Sequence, residues 1–186
     1  MNIKFCSQCG SPMEERVPED DDHVRAACTQ CPHVHYENPK MVVGTIPVFG
    51  DQILMCKRNI EPRKGKWTLP AGYLENQESV QDGAARETLE ETRAVVKIVE
   101  PYRLFNILFV DQVYFMFRAQ LLSPKFGPTS ESTEVRLFKE AEIPWDEIAF
   151  EVIRQTLKDF FQDQKKGNFT FGVKDLVFTP KGQIKG

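Results

Sequence analysis

No stretch of this chain approaches the roughly 18 consecutive apolar residues that a membrane-spanning helix needs, so no membrane partner is expected. Residues 1–5 offer no apolar leader core ahead of Cys6, which points to a cytoplasmic chain whose thiols stay reduced. No internal repeat and no low-complexity tract interrupts it, which leaves ordinary globular packing. Nor is there a basic balance. The net charge is -3, and Glu14, Glu15, Glu19, Asp20, Asp21 and Asp22 crowd one early segment against Arg16 and Arg25. A nucleic-acid grip needs a basic face that releases counterions from phosphates, so none is expected. What remains is 186 residues, 41% hydrophobic and 27% charged, enough for one substantial core plus a small module.

The small module comes first. Cys6-Ser7-Gln8-Cys9 and Cys28-Thr29-Gln30-Cys31 are two C-x2-C pairs separated by eighteen residues, the spacing of a four-thiolate zinc ribbon. Four thiolates close a tetrahedron and leave no open position, so Zn²⁺ here is structural and supplies folding energy to a segment too short for its own core. Neither pair follows the strand of a βαβ unit, which weighs against redox chemistry. His33 and His35 are expected as polar neighbours of the ribbon. Cys56, in an apolar run, reads as a core residue.

The rest parses as a mixed α/β domain. Residues 41–49 and 52–57 are apolar runs joined by Gly50-Asp51, a hairpin signal. Residues 67–69, 95–99, 102–110, 112–122 and 134–138 are further strand candidates, with a tight turn at Asp111-Gln112. Residues 145–164 carry a helical period that ends at Lys165-Lys166-Gly167. A tail containing Phe169, Phe171, Val177 and Phe178 follows, and it can pack on the domain or on a second subunit. Between these lies a proline-free run capped by Ser79 and helical to about Arg93. Its Glu87, Glu90 and Glu91 fall on one side, with Ala85, Thr88, Leu89 and Thr92 on the packing side. Gly83 and Ala84 are expected to leave room for a bulky anion. Three like charges at such spacings call for a cation, and a hard divalent ion such as Mg²⁺ takes carboxylates together with the phosphates of a substrate.

From Gly72 to Glu91 the chain reads G-x5-E-x7-R-E-x-x-E-E, which resembles the Nudix box of hydrolases that cleave a nucleoside diphosphate linked to another group. One place departs: Arg93 stands where the family usually has a glycine at the left-handed helix exit. The runs 38–44, 56–62 and 67–75, with Arg136-Leu137-Phe138 and Glu142-Ile143-Pro144, resemble zinc-ribbon Nudix hydrolases similar to a plant chloroplast enzyme acting on FAD and ADP-ribose. The S-Q-P-W-P-F-P segment of the NADH pyrophosphatase branch is absent.

The resemblance implies an α/β (α+β) Nudix sandwich, α/β/α with a mixed sheet. It would span 39–165, between a zinc ribbon at 1–38 and a tail at 166–186, and a homodimer is a family expectation. It implies Mg²⁺- or Mn²⁺-dependent pyrophosphate hydrolysis, with FAD or ADP-ribose first and NADH as the alternative. Glu87 and Glu91 would be the principal ligands, Glu90 would share an ion, and the Ala71 carbonyl would complete the set. Arg86 would orient the carboxylates and Glu78 would pair with it. The general base is a box glutamate or a distant acid, Glu131 or else Glu134. Arg58 is the preferred phosphate contact among Arg58, Arg63, Lys64 and Lys66, with Arg103 as an addition, and Tyr114 and Phe105 are candidates to stack on a substrate ring. A nucleotide-sensing module without turnover is the other class, disfavoured because all three box glutamates are present.

Overall fold

A computed structural model describes residues 3–178 and 184–185. Residues 1–2, 179–183 and 186 lie outside the described residues, and the readings that fall on them lie outside with them. The chain divides into two compact units, Met1–Asn38 and Pro39–Gly186.

In the first unit three short strands, β1 (Met13–Arg16), β2 (Arg25–Cys28) and β3 (Val34–His35), form an antiparallel sheet in the order β1-β2-β3. Its register, Met13 opposite Cys28 and Arg16 opposite Arg25, sets the second cysteine pair at the sheet's end. The Cys9 and Cys28 sulfurs lie 3.5 Å apart and those of Cys6 and Cys31 lie 3.7 Å apart. That is close to the spacing expected of thiolates about 2.3 Å from one tetrahedral zinc. All four sulfurs cluster together and neither histidine joins them; His33 Nε2 instead meets Ser7 Oγ at 3.3 Å.

The second unit is built on a mixed sheet. Its strands are β4 (Lys40–Phe49), β5 (Gln52–Arg58), β6 (Trp67–Thr68), β7 (Ala71–Tyr73), β8 (Val96–Ile107), β9 (Gln112–Leu121), β10 (Ser132–Phe138), β11 (Gly172–Phe178) and β12 (Ile184–Lys185). They run β10-β5-β4-β9-β8-β11-β12, with β6 on β5 and β7 on β4. The pairs β4·β9 and β8·β11 are parallel, and the others are antiparallel. Helix α1 (Val80–Thr92) lies on one face, where Ala84 packs with Val43 and Phe117. Helix α2 (Glu151–Lys166) covers the other, where Val152, Leu157 and Phe160 join Ile46, Met55 and Met116 in the main core. Alternate residues of β4 and β9 therefore face opposite helices, as the pleat requires.

Several boundaries differ from the sequence reading. The runs 95–99 and 102–110 fuse into one strand, β8, that stops at Ile107, with 108–110 in a 3-10 turn; Pro101 sits beside register shifts at 98–100 and 101–103, and a residue without an N–H is tolerated where the ladder is already interrupted. Residues 145–147 form a separate 3-10 turn, and α2 starts only at Glu151. The intervening backbone is drawn to the sheet, where Ala149 N–H donates to Trp67 O at 2.9 Å. The tail strand β11 packs on the domain, Gly172 opposite Arg103 and Leu176 opposite Ile107.

Candidate active site

Helix α1 begins as its sequence directs. Ser79 is extended and its Oγ accepts the N–H of Asp82 at 3.1 Å, a side-chain cap for an otherwise orphaned donor. It ends at Arg93, whose φ of 58° keeps the left-handed exit turn with its N–H on Leu89 O at 2.7 Å. The family's turn is thus preserved with arginine in it.

The packing face of α1 holds at Thr88 and Thr92 and differs at Leu89, and two of the acids are buried as well. Glu87, Thr88, Glu91 and Thr92 are buried whereas Leu89 is half exposed, because the helix rests on the sheet through a hydroxyl contact, Thr88 Oγ1 to Thr45 Oγ1 at 2.6 Å. Gly83 and Ala84 leave no room for an anion. A Cβ on Gly83 would fall 2.8 Å from Glu78 Oε1 and 3.0 Å from Leu74 and Val43, and Ala84 is in the core. Protein packing fills that space.

The acids occupy one cleft of about 460 Å³, lined among others by Arg58, Ala71, Glu87, Glu90, Glu91 and Glu131. Arg86 organises its rim: it bonds Glu78 at 2.7 and 3.0 Å, Glu87 at 2.8 Å, Glu90 at 2.9 Å and the Tyr73 carbonyl at 3.1 Å. Glu78, paired with Arg86 and accepting the Glu75 N–H, is held down at about 2. The same carboxylates raise the Arg86 pKa. Glu91 lies deepest. Its Oε2 accepts the Ala71 N–H at 3.2 Å and faces the Cys56 thiol at 3.5 Å, and burial, with the charge of Glu87, lifts it to about 7. Burial also raises Glu87. Glu90 is half exposed and turned to Arg86.

The other candidates separate. Glu131 lines the cleft, whereas Glu134 pairs with Lys57 at 3.9 Å and is not among its lining residues. Arg58 lines it too, stacked 5.1 Å from the Phe150 ring with Nε on Pro62 O at 2.9 Å. Tyr114 forms part of the wall, its hydroxyl pushed up to about 12 by burial. Lys64 and Lys66 do not line the cleft, and Arg63 lines an adjoining apolar groove. Phe105 is fully enclosed in the core. Arg103 is no phosphate contact: it is buried, with Asp159 and Asp163 each at 2.8 Å and the Tyr102 and Thr170 carbonyls at 3.0 and 2.6 Å taking up its donors. Sequence reasoning missed Tyr73, Gln112 and Phe150 in the cleft wall; their arrival depends on strand pairing and on the late start of α2.

Carboxylates at this spacing on one helix, facing a strand that opens with Ala71-Gly72, are matched by a family comparison: residues 38–162 fit the profile described as NUDIX domain. The chain belongs to the Nudix family. Residues 4–37 fit the zinc-ribbon profile described as Nudix N-terminal, so the Nudix domain follows a ribbon as its cysteines indicated. A crystal structure of a NUDIX hydrolase from Nitrosomonas europaea superposes with a TM-score of 0.91 at 49% identity, covering 94% of this chain and 99% of that one. The NAD-capped RNA hydrolase NudC of Vibrio cholerae is 29% identical over 169 residues, 87% of this chain and 60% of that protein. NudC of Stutzerimonas stutzeri is 37% identical over 135 residues, 70% of this chain and 46% of the relative. The chain therefore spans at most about 60% of the length of these two curated relatives. Nudix enzymes use Mg²⁺ or Mn²⁺, and the carboxylates here are hard oxygen donors that suit either ion.

Proposed function

We propose that this Nudix hydrolase cleaves the pyrophosphate bond of a dinucleotide, with FAD (to FMN and AMP) or ADP-ribose (to AMP and ribose phosphate) as its substrate. The observation that carries the reading is an imbalance of charge in the cleft. Glu78, Glu87 and Glu90 share the single cation Arg86, and among the described residues the more deeply enclosed Glu91 makes no ion pair. A divalent cation would complete such a site, and Glu87, Glu91 and the Ala71 carbonyl would hold it, with Glu90 sharing the ion. Bound there, Mg²⁺ or Mn²⁺ would neutralise phosphate oxygens and lower the pKa of a water.

The chain's own groups do the rest. Arg86 holds Glu87 and Glu90 in place and makes no bond to Glu91. Glu131, on a loop of the same cleft, takes the proton of the attacking water. Arg58 pairs with a phosphate oxygen, and Tyr114 backs a substrate ring. Positioning and charge stabilisation of this kind are what hydrolysis of a shielded anhydride demands.

The segments resembling the FAD and ADP-ribose branch support the first substrates. A second reading, NADH or an NAD-type end, is favoured by the names of the curated relatives. Incubation with Mg²⁺ and FAD, ADP-ribose, NADH, NAD⁺ or coenzyme A, with chromatography of AMP and its partner monophosphate, separates them. Fastest turnover of FAD or ADP-ribose upholds the reading, fastest turnover of NADH installs the second, and tight binding without turnover would make the domain a sensor.

A further inference from the structure

The loop that carries Glu131 is fastened to the helix that carries the metal-binding glutamates. The last four carbonyls of a helix have no partner within it. At the end of α1 one of these, the carbonyl of Glu91 itself, accepts the Ser132 hydroxyl at 2.6 Å and the Thr129 hydroxyl at 3.4 Å. The next, on Thr92, accepts the Gly127 N–H at 2.9 Å. The loop is knitted internally as well: the Glu131 N–H donates to Thr129 Oγ1 at 3.1 Å, and the Thr129 N–H to the Ser132 carbonyl at 3.1 Å. On its other side Asn59, just beyond β5, donates its N–H to the Glu131 carbonyl at 2.8 Å and its Nδ2 to the Ser130 carbonyl at 3.0 Å. Both peptide groups of Glu131 are thus held, and the residue lines the same cleft as Glu87 and Glu91. The charge of Glu131 reaches Glu87.

From this arrangement we infer that Ser132 and Thr129 are positioning residues for catalysis. They tie the backbone carbonyl of a metal-binding glutamate to the loop bearing the general base, so that base and metal site keep a fixed separation. Ser132 is 1% exposed, so water cannot replace its hydroxyl on the Glu91 carbonyl without repacking. A serine whose only role is to cap the helix end would affect stability and leave turnover by the folded enzyme alone. A serine that sets the base would affect kcat through Glu131. The inference rests on the reading of Glu131 as base.

The test is a double-mutant cycle of Ser132→Ala with Glu131→Gln, using the fastest-cleaved dinucleotide, with Mn²⁺ binding followed by EPR and folding by thermal melt. Displacing a reacting group by an ångström costs up to about a hundredfold in rate. The expected result is therefore a fall in kcat of about tenfold or more for Ser132→Ala, with KM and Mn²⁺ affinity within about twofold. The double variant is expected to be no slower than Glu131→Gln alone, because a misplaced base and a missing base lose the same contribution. Thr129→Ala, on the longer bond, is expected to show a smaller loss and Thr129→Ser to restore it, which keeps the test open if Ser132→Ala does not fold. Losses that multiply in the double variant, or an unaltered kcat in well-folded Ser132→Ala, overturn the inference. If Glu131→Gln alone keeps full turnover, the assignment of the base fails and the inference falls with it. Absence of turnover by the unaltered protein on every dinucleotide instead refutes the proposed function.

Discussion

The carboxylate of Glu87 occupies the space that a side chain on Gly72 would need. A Cβ built on Gly72 would lie 2.2 Å from Glu87 Oε2 and 2.3 Å from its Cδ. The glycine that opens the box is therefore a matter of room: the strand must pass against a buried carboxylate that helix α1 presses on it. Gly72→Ala is expected to push Glu87 off its position and lower kcat/KM by about a hundredfold, the scale of an ångström's misplacement. Circular dichroism should stay native, and steady-state kinetics checks the loss; full activity in this variant would show that Glu87 has freedom to move.

Removing the deep charge separates chemistry from stability. Glu91→Gln should lower kcat by at least about a hundredfold if the carboxylate holds the ion that stabilises the developing charge. It should not lower the melting temperature of the metal-free protein, because it deletes a buried charge that lies close to Glu87. Unchanged turnover of every dinucleotide would refute the mechanism.

Acidity follows from the same burial. The folded-state pKa of Glu91 is raised to about 7 from 4.5, so the folded protein holds its proton where the unfolded chain has lost it. The stabilisation is present in full below pH 4.5 and is lost as pH rises through about 7, a difference on the order of 3 kcal/mol at most for that shift. Metal-free protein should therefore melt at lower temperature at pH 8 than at pH 5.5 as far as this group is concerned. Saturating Mg²⁺ should reverse the trend, since the ion takes the deprotonated form. Melts with and without metal across this range decide it.

Arg93 offers a test of the helix exit. Its left-handed φ costs a side chain about 1 kcal/mol more than glycine, so Arg93→Gly should raise stability by roughly that amount with kcat unchanged. Urea denaturation measures the first and the dinucleotide assay the second.

The ribbon should be separable from the chemistry. Zinc chelation, or Cys28→Ala, is expected to unfold Met1–Asn38 while the Nudix unit keeps its own core of Ile46, Met55, Leu157 and Phe160, because a segment of that size lacks apolar burial to fold unaided. Limited proteolysis with mass spectrometry would show cleavage confined to the ribbon. An intact, protected ribbon after chelation would end the structural role given to zinc.

Much of this site was legible along the chain because its information is local. The cap at Ser79, the helix and the relative places of Arg86, Glu87, Glu90 and Glu91 follow from periods of three and four residues. Cysteine spacing alone similarly marks a tetrahedral zinc site. What the chain could not display are relations set by packing. That Glu91 is the most deeply buried acid of the cleft, that Cys56 lies against it, and that Gly83 faces Leu74 rather than a ligand depend on how α1 is laid on β4. Arg103 and Arg58 look alike in sequence, yet one is consumed by two aspartates of α2 and the other lines the cleft. Glu131 and Glu134, three residues apart, divide in the same way, one lining the cleft and the other paired with Lys57 across β10 and β5. Periodicity fixes which residues share a face of one element, but only the docking of elements decides what that face meets and how far each charge is withdrawn from water.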